Sequence, residues 1–162
     1  MSKLVDLSHK WAVEIGRIFI AFGSIESATH ECLRRIPRDP IYSIAKRLTF
    51  AQRIDLLEVI LNSMEESKAV RLSVLLKQAS RLAEQRNLIA HNPLSLDIYT
   101  SDVGEHSIRE SIRSLRNSEK GISFEQLVEI RYQTEALVIE IYDSQSKLFE
   151  EISETKTSRN IE

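Results

Sequence analysis

The chain has 162 residues, with 22 Lys and Arg against 24 Asp and Glu and a formal net charge of −2. That length fits one domain with a core large enough to fold unaided, and the near balance of charge excludes a globally basic nucleic-acid binder, so any polyanion site has to be a local patch. Cys32 is the one cysteine, beside 4 Gly and 3 Pro, which excludes an internal disulfide or a cysteine metal cluster and argues against a turn-rich β sandwich.

No apolar run approaches the length of a membrane span. The opening MSKLVDLSHKW lacks the apolar centre of a secretory signal, and a lone cysteine suits a reducing compartment. The expectation is a cytoplasmic protein without membrane contact. A single domain is expected over 1–162, with an ordered core over 8–152 and a polar tail, 153–162, that frays.

The first helix is expected from Ser8, its N-cap, to Arg35, with Ile15, Phe19, Phe22, Ile25, Thr29 and Leu33 three or four residues apart. Pro37-Arg-Asp-Pro40 ends it. A second helix is expected over Ser43 to Glu65, on the stripe Phe50, Ile54, Leu57, Leu61 and Met64. A third is expected over Lys68 to His91, on Leu72, Leu75, Ala79, Leu82 and Ile89. Asn92-Pro93 stops it, because the residue before proline avoids the α region.

Between 94 and 121, residues 95–100 alternate like a strand. Residues 108–116 fit a short helix almost as well as a strand, and a small β-hairpin is favoured. Ser123-Phe-Glu-Gln126 then forms a capping box, followed at helical spacing by Leu127, Ile130, Thr134, Leu137, Ile141 and Leu148. The expected fold is all-α: an antiparallel four-helix up-and-down bundle with a small hairpin or irregular insertion before the last helix. Helices near 30 residues with apolar residues on more than one face often pair with a second subunit, so a homodimer is expected.

Chemistry concentrates in Gln85-Arg-Asn-Leu-Ile-Ala-His-Asn-Pro93. Arg86 stands on the apolar stripe of the third helix, where a permanent charge needs a partner or a wet cleft. His91 lies at the helix C-terminus, where the dipole favours imidazolium. Asn87, four residues earlier, shares its face. Glu26 sits on the apolar stripe of the first helix and is the expected partner of Arg86, Arg53 or His91 across the bundle. The alternative is structural: His91 and Asn92 cap the helix while Arg86 pairs with Glu26 to fix register.

Arg86-Asn87-x-x-x-His91, within RNLIAHN, resembles the R-x4-6-H motif of the HEPN superfamily. The order of elements is also similar: a long first helix with an acidic residue, a helical hairpin, the motif and a final long helix. The likeness spans about 8–152, although only the motif is specific. It implies a metal-independent endoribonuclease that leaves 2′,3′-cyclic phosphate and 5′-hydroxyl ends. His91 would be general base or acid and Arg86 the phosphate holder, with Asn87, Glu26 and Asn92 in support and no metal or cofactor. Arg34, Arg35 and Arg53 are candidate RNA contacts.

In the family, dimerisation brings two Arg/His pairs to one cleft. The implied partners are RNA, a second copy of the chain and an antitoxin or sensor protein, in a toxin–antitoxin or anti-phage defence setting. Family toxins controlled by a nucleotidyltransferase antitoxin often carry Tyr two residues after the His. Pro93 stands there instead, so control by tyrosine modification at that position is not expected. The alternative function is a non-catalytic HEPN-like dimeric module that binds a partner protein or nucleotide ligand.

Overall fold

A computed structural model describes residues 2–37, 41–64, 67–100, 104, 106–117 and 120–159. The elements in chain order are α1 (Ser2–Arg35), α2 (Ile41–Ala45), α3 (Phe50–Asn62), α4 (Ser67–His91), β1 (Leu94–Thr100), β2 (His106–Arg113), β3 (Gly121–Ser123) and α5 (Phe124–Arg159).

The core follows most of the stripes read from the sequence, although on α1 the expected Phe19 is exposed and Ile15 only half-buried. On α1, Trp11, Ile18, Ile25 and Cys32 recur every seven residues and are buried, joined by Phe22, Thr29 and Leu33. Leu72, Leu75, Ala79, Leu82 and Ile89 bury one face of α4, and Leu127, Ile130, Thr134, Leu137, Ile141 and Leu148 bury one face of α5. Burial of such side chains, at roughly 1.5–3 kcal/mol each, holds the helices together.

The all-α four-helix expectation is corrected. Among the described residues the structure has five helices and a three-stranded antiparallel sheet in the order β1-β2-β3. The second expected helix is two elements. Thr49 accepts a hydrogen bond from the Gln52 backbone N–H while the Gln52 side chain accepts from the Thr49 backbone N–H, so a capping box starts α3 separately from α2. Period-two alternation wins in 94–100 and 106–113, which pair without a bulge from Leu94↔Ile112 to Thr100↔His106. The third strand crosses β2 closely: a Cβ on Gly121 would lie 3.3 Å from the Ile112 carbonyl oxygen. Gly104, at φ 82°, takes the left-handed conformation beside the hairpin turn.

The up-and-down order is corrected as well. Arg131 Nε donates to Glu14 (2.8 Å), Arg17 Nε to Glu135 (2.8 Å) and Gln145 Nε2 to the Ala28 carbonyl (3.1 Å). Partner numbers rise together, so α1 and α5 run parallel. The sheet turns the chain between α4 and α5, and α4 packs against both helices.

Ser8 lies within α1, which begins at Ser2, and α5 continues past Ile152 to Arg159. Pro37 follows α1 as expected, while 38–40, Glu65 and 160–162 lie outside the described residues. Among the described residues no helix is long and apolar enough to cross a membrane.

The capping box at α3 gives a direct check. Thr49→Ala is expected to cost about 1 kcal/mol and to lower the melting temperature by roughly 2–4 °C in a thermal melt followed by circular dichroism.

Candidate functional site

Three helices meet around Glu26. Arg86 on α4 reaches α1, and its Nη2 donates to Glu26 Oε1 at 3.0 Å. The other carboxylate oxygen faces Arg53 Nη2 at 3.9 Å. That is beyond hydrogen-bond length but close enough for Coulomb attraction. One carboxylate thus serves two guanidinium groups.

The apolar floor explains why both arginines can lie inward. The Arg86 guanidinium sits over the Phe22 ring, 5.3 Å from its centroid, with Phe19 at 6.0 Å. Arg53 sits over Phe50, which meets Phe22 edge to face. Cation–π attraction compensates part of the lost hydration.

The two arginines differ in freedom. Arg53 is buried, with Nε donating to Thr29 Oγ1 (3.2 Å) and Nη1 to the Leu48 carbonyl (2.7 Å). Thr29 in turn donates to the Glu26 carbonyl at 2.7 Å. This chain of bonds ties the start of α3 to α1, and it engages Arg53 with protein rather than presenting it to solvent. Arg86 is half-buried, and among the described residues its buried Nε has no acceptor, an uncompensated donor of the kind that native structures rarely leave.

Arg86 and Glu26 stand in the wall of a cleft of about 390 Å³, lined also by Thr49, Phe50, Ser80, Glu84 and Asn87. His91 is exposed. Four residues on from Asn87, it extends the same face of α4 by one turn. It lies about 7.5 Å along the axis from Arg86 and about 140° round it, and among the described residues it makes no hydrogen bond or ion pair. The structure therefore brings Glu26, Arg86, Asn87 and Arg53 together and places His91 at the end of the Asn87 face.

Asn92 has a different task. Its Nδ2 donates to the Leu88 carbonyl (2.7 Å), and its Oδ1 accepts the Leu115 backbone N–H (2.9 Å). It closes the end of α4 and fastens the far end of the hairpin to it. Arg34 and Arg35 lie two turns beyond Glu26 and are held by Glu31: Arg34 makes a forked pair at 2.9 and 2.7 Å, and Arg35 bonds the same carboxylate. The Arg34 hydrogen bonds hold the Glu31 carboxyl below its usual range. Arg38 is outside the described residues.

Ser80 and Glu84 were not singled out from sequence, and Phe19, Phe22 and Thr29 were read only as stripe positions of the first helix. Their types are those of ordinary core and surface positions, and only the spatial meeting of α1 and α4 marks them. The Thr49-Phe-Ala-Gln52 box did carry a signal, of the same form as the box that opens α5.

His30, one turn after Glu26, has its pKa lowered, first by burial and then by Arg53, while Glu26 acts in the opposite direction. Among the described residues no group of three His, Cys, Asp or Glu side chains could hold a metal ion. Comparison with protein-family models, with curated proteins and with solved structures finds no match to this chain.

Two outcomes follow from this geometry. Asn92→Ala removes a helix cap and the hairpin tie, and is expected to cost about 1–3 kcal/mol in urea unfolding. Because the folded pKa of His30 is lowered, the unfolded chain binds the proton first. Its contribution to stability is complete above the ordinary pKa of 6.5 and is lost as pH falls from there through the lowered folded value. Melting temperatures measured from pH 8 to pH 5 should fall less steeply in His30→Gln than in the wild type.

Proposed function

We propose that the chain is a metal-independent endoribonuclease of HEPN type that works as a homodimer. The observation that carries this reading is the state of Arg86. A permanently charged side chain stands in a cleft wall with one donor unused, beside Asn87, and an exposed histidine lies one turn further on. The RNLIAHN resemblance supplies the class of chemistry.

An RNA phosphate entering the cleft competes with Glu26 for Arg86. Once released, the guanidinium turns towards Asn87, binds two phosphate oxygens and stabilises the charge that develops on phosphorus. His91 takes the proton from the ribose 2′-hydroxyl. The 2′-oxygen attacks phosphorus, the bond to the 5′-oxygen breaks, and that oxygen takes the proton now held on His91. The products are a 2′,3′-cyclic phosphate and a 5′-hydroxyl. Asn87 offers amide donors along the strand. Arg34 and Arg35 lie at the exposed end of α1, where a longer RNA would pass them. A toxin or defence role under a controlling protein is part of this proposal and rests on the resemblance.

One observation favours a second reading, a non-catalytic helical module. Arg86 is already paired with Glu26 and lies well round the helix from His91, which suits a register-fixing bridge. The two readings separate in a single assay. Mixed single-stranded RNA is incubated with wild type, His91→Ala and Arg86→Ala in EDTA. Cleavage by wild type alone, leaving cyclic phosphate ends, is the expected result, with at least a hundred-fold loss in His91→Ala if it is the general base. His91 is exposed, so its replacement should leave the melting temperature unchanged. Equal activity in all three proteins would remove Arg86 and His91 from the mechanism, and an inert wild type with a destabilised Arg86→Ala would favour the module.

A further inference from the structure

Strand β1 is an edge. It pairs with β2 on one side, and among the described residues no strand lies on the other. The Arg113 N–H donates to the Pro93 carbonyl at 3.4 Å. The register from Leu94↔Ile112 onward then fixes which residues exchange bonds with β2, because such pairs alternate in an antiparallel ladder. Ser95 and Asp97 turn their backbone groups towards β2. Leu94, Leu96, Ile98 and Thr100 turn theirs outward, towards the open edge.

Natural edges are usually blunted by lysine, proline, a bulge or a cover. Within β1 there is no Lys, Arg or Pro, and its register with β2 is unbroken. One face is also apolar and open. Ile98 is 71% exposed, Leu96 47%, and Ile108, directly across from Ile98, 65%. Exposed apolar residues elsewhere, such as Ile20 on α1 and Ile139 on α5, stand on helices whose backbone groups are already bonded.

We propose that β1 is the homodimer interface, where two copies join antiparallel about a two-fold axis at Asp97 to form one six-stranded sheet. Registers centred on a residue of β1, Leu96 and Ile98 among them, match outward groups with outward groups. Only the one centred on Asp97, the middle residue of β1, engages all four outward residues of each strand. It sets Leu96 opposite Ile98 of the second copy and Ile98 opposite its Leu96, so the open apolar faces merge into one patch flanked by both Ile108 side chains.

On the other face two Asp97 carboxylates meet at the axis. Each already accepts from its own Arg113 at 2.6 Å and lies across from its own Arg109. Two carboxylates therefore sit among four guanidinium groups, and the charges complement one another. His91 is six residues from the axis, so the two histidines lie roughly 40 Å apart. The two clefts stay separate, unlike the shared cleft that the resemblance implies. The inference rests on the homodimer in the proposed function and not on its cleft chemistry.

The test is sedimentation velocity of the full chain over a range of concentrations, with RNA cleavage assayed separately. Wild type is expected to be dimeric. Ile98→Pro removes an outward N–H that β2 does not use, so it should be monomeric at concentrations where wild type is dimeric, with an unchanged circular dichroism spectrum. Leu96→Lys should act in the same way. A second measurement reads the register. Facing residues at the axis would have Cα atoms about 4.5 Å apart, within disulfide reach, so Asp97→Cys should give a disulfide-linked dimer under mild oxidation and Ser95→Cys should not. The native Cys32 is buried, with its thiol pushed up to about 12, and stays silent. A monomeric wild type, a dimer that survives both Ile98→Pro and Leu96→Lys, or equal cross-linking at 95 and 97 would overturn the proposal. An RNA-inactive protein that dimerises as described would overturn the ribonuclease alone.

Discussion

The cleft depends on one carboxylate. Glu26 balances Arg86 directly and Arg53 at slightly longer range, and its backbone carbonyl receives the Thr29 hydroxyl that in turn accepts from Arg53. Without that negative charge, two guanidinium groups over a phenylalanine floor would face each other without compensation, and a charge left unpaired in a partly dry site is far more costly than the pair itself contributes. The meeting of α1, α3 and α4 is therefore an electrostatic junction set into an apolar bundle, which is why a polar cleft persists there.

Arg53 and Arg86 also show how neighbouring residues of one type take different work. Arg53 spends its donors on the Leu48 carbonyl and Thr29, so it fixes where α3 begins relative to α1. Arg86 keeps an unused donor and one bond to a half-exposed carboxylate, so it is the one of the two with capacity for a ligand. Asn92, adjacent in sequence to His91, is committed to the frame by bonds at both ends of its amide.

Much of the helical frame was legible in the sequence because apolar spacing and capping chemistry are local. The stripes of α4 and α5 are buried residue for residue, and the Ser123-Gln126 box opens α5 as read. The three-residue β3 was not legible, because its pairing is decided by β2 rather than by its own composition. The parallel course of α1 and α5 was hidden for a similar reason: it depends on the connection through α2, after which α3 runs in the same direction as α1, with Phe22 meeting Phe50 and Thr29 meeting Arg53. At the site, the pairing of Glu26 with Arg86 was among the partners expected from two charges on apolar stripes. That Arg53 would be buried was not visible, since its carbonyl and hydroxyl acceptors come together only in the fold.

The single tryptophan has a further consequence. Trp11 Nε1 donates to Glu110 Oε2 at 2.7 Å, and its ring meets Phe124 edge to face at 5.3 Å. One indole thus touches the first helix, the middle strand and the start of the last helix. The Trp11 and Lys10 hydrogen bonds hold the Glu110 carboxyl below its usual range, so that contact persists well into mild acid. Excited at the indole band, the unmodified chain carries its own optical gauge of sheet docking: its emission responds when the hairpin lifts from the helices, even while the helical signal is unchanged.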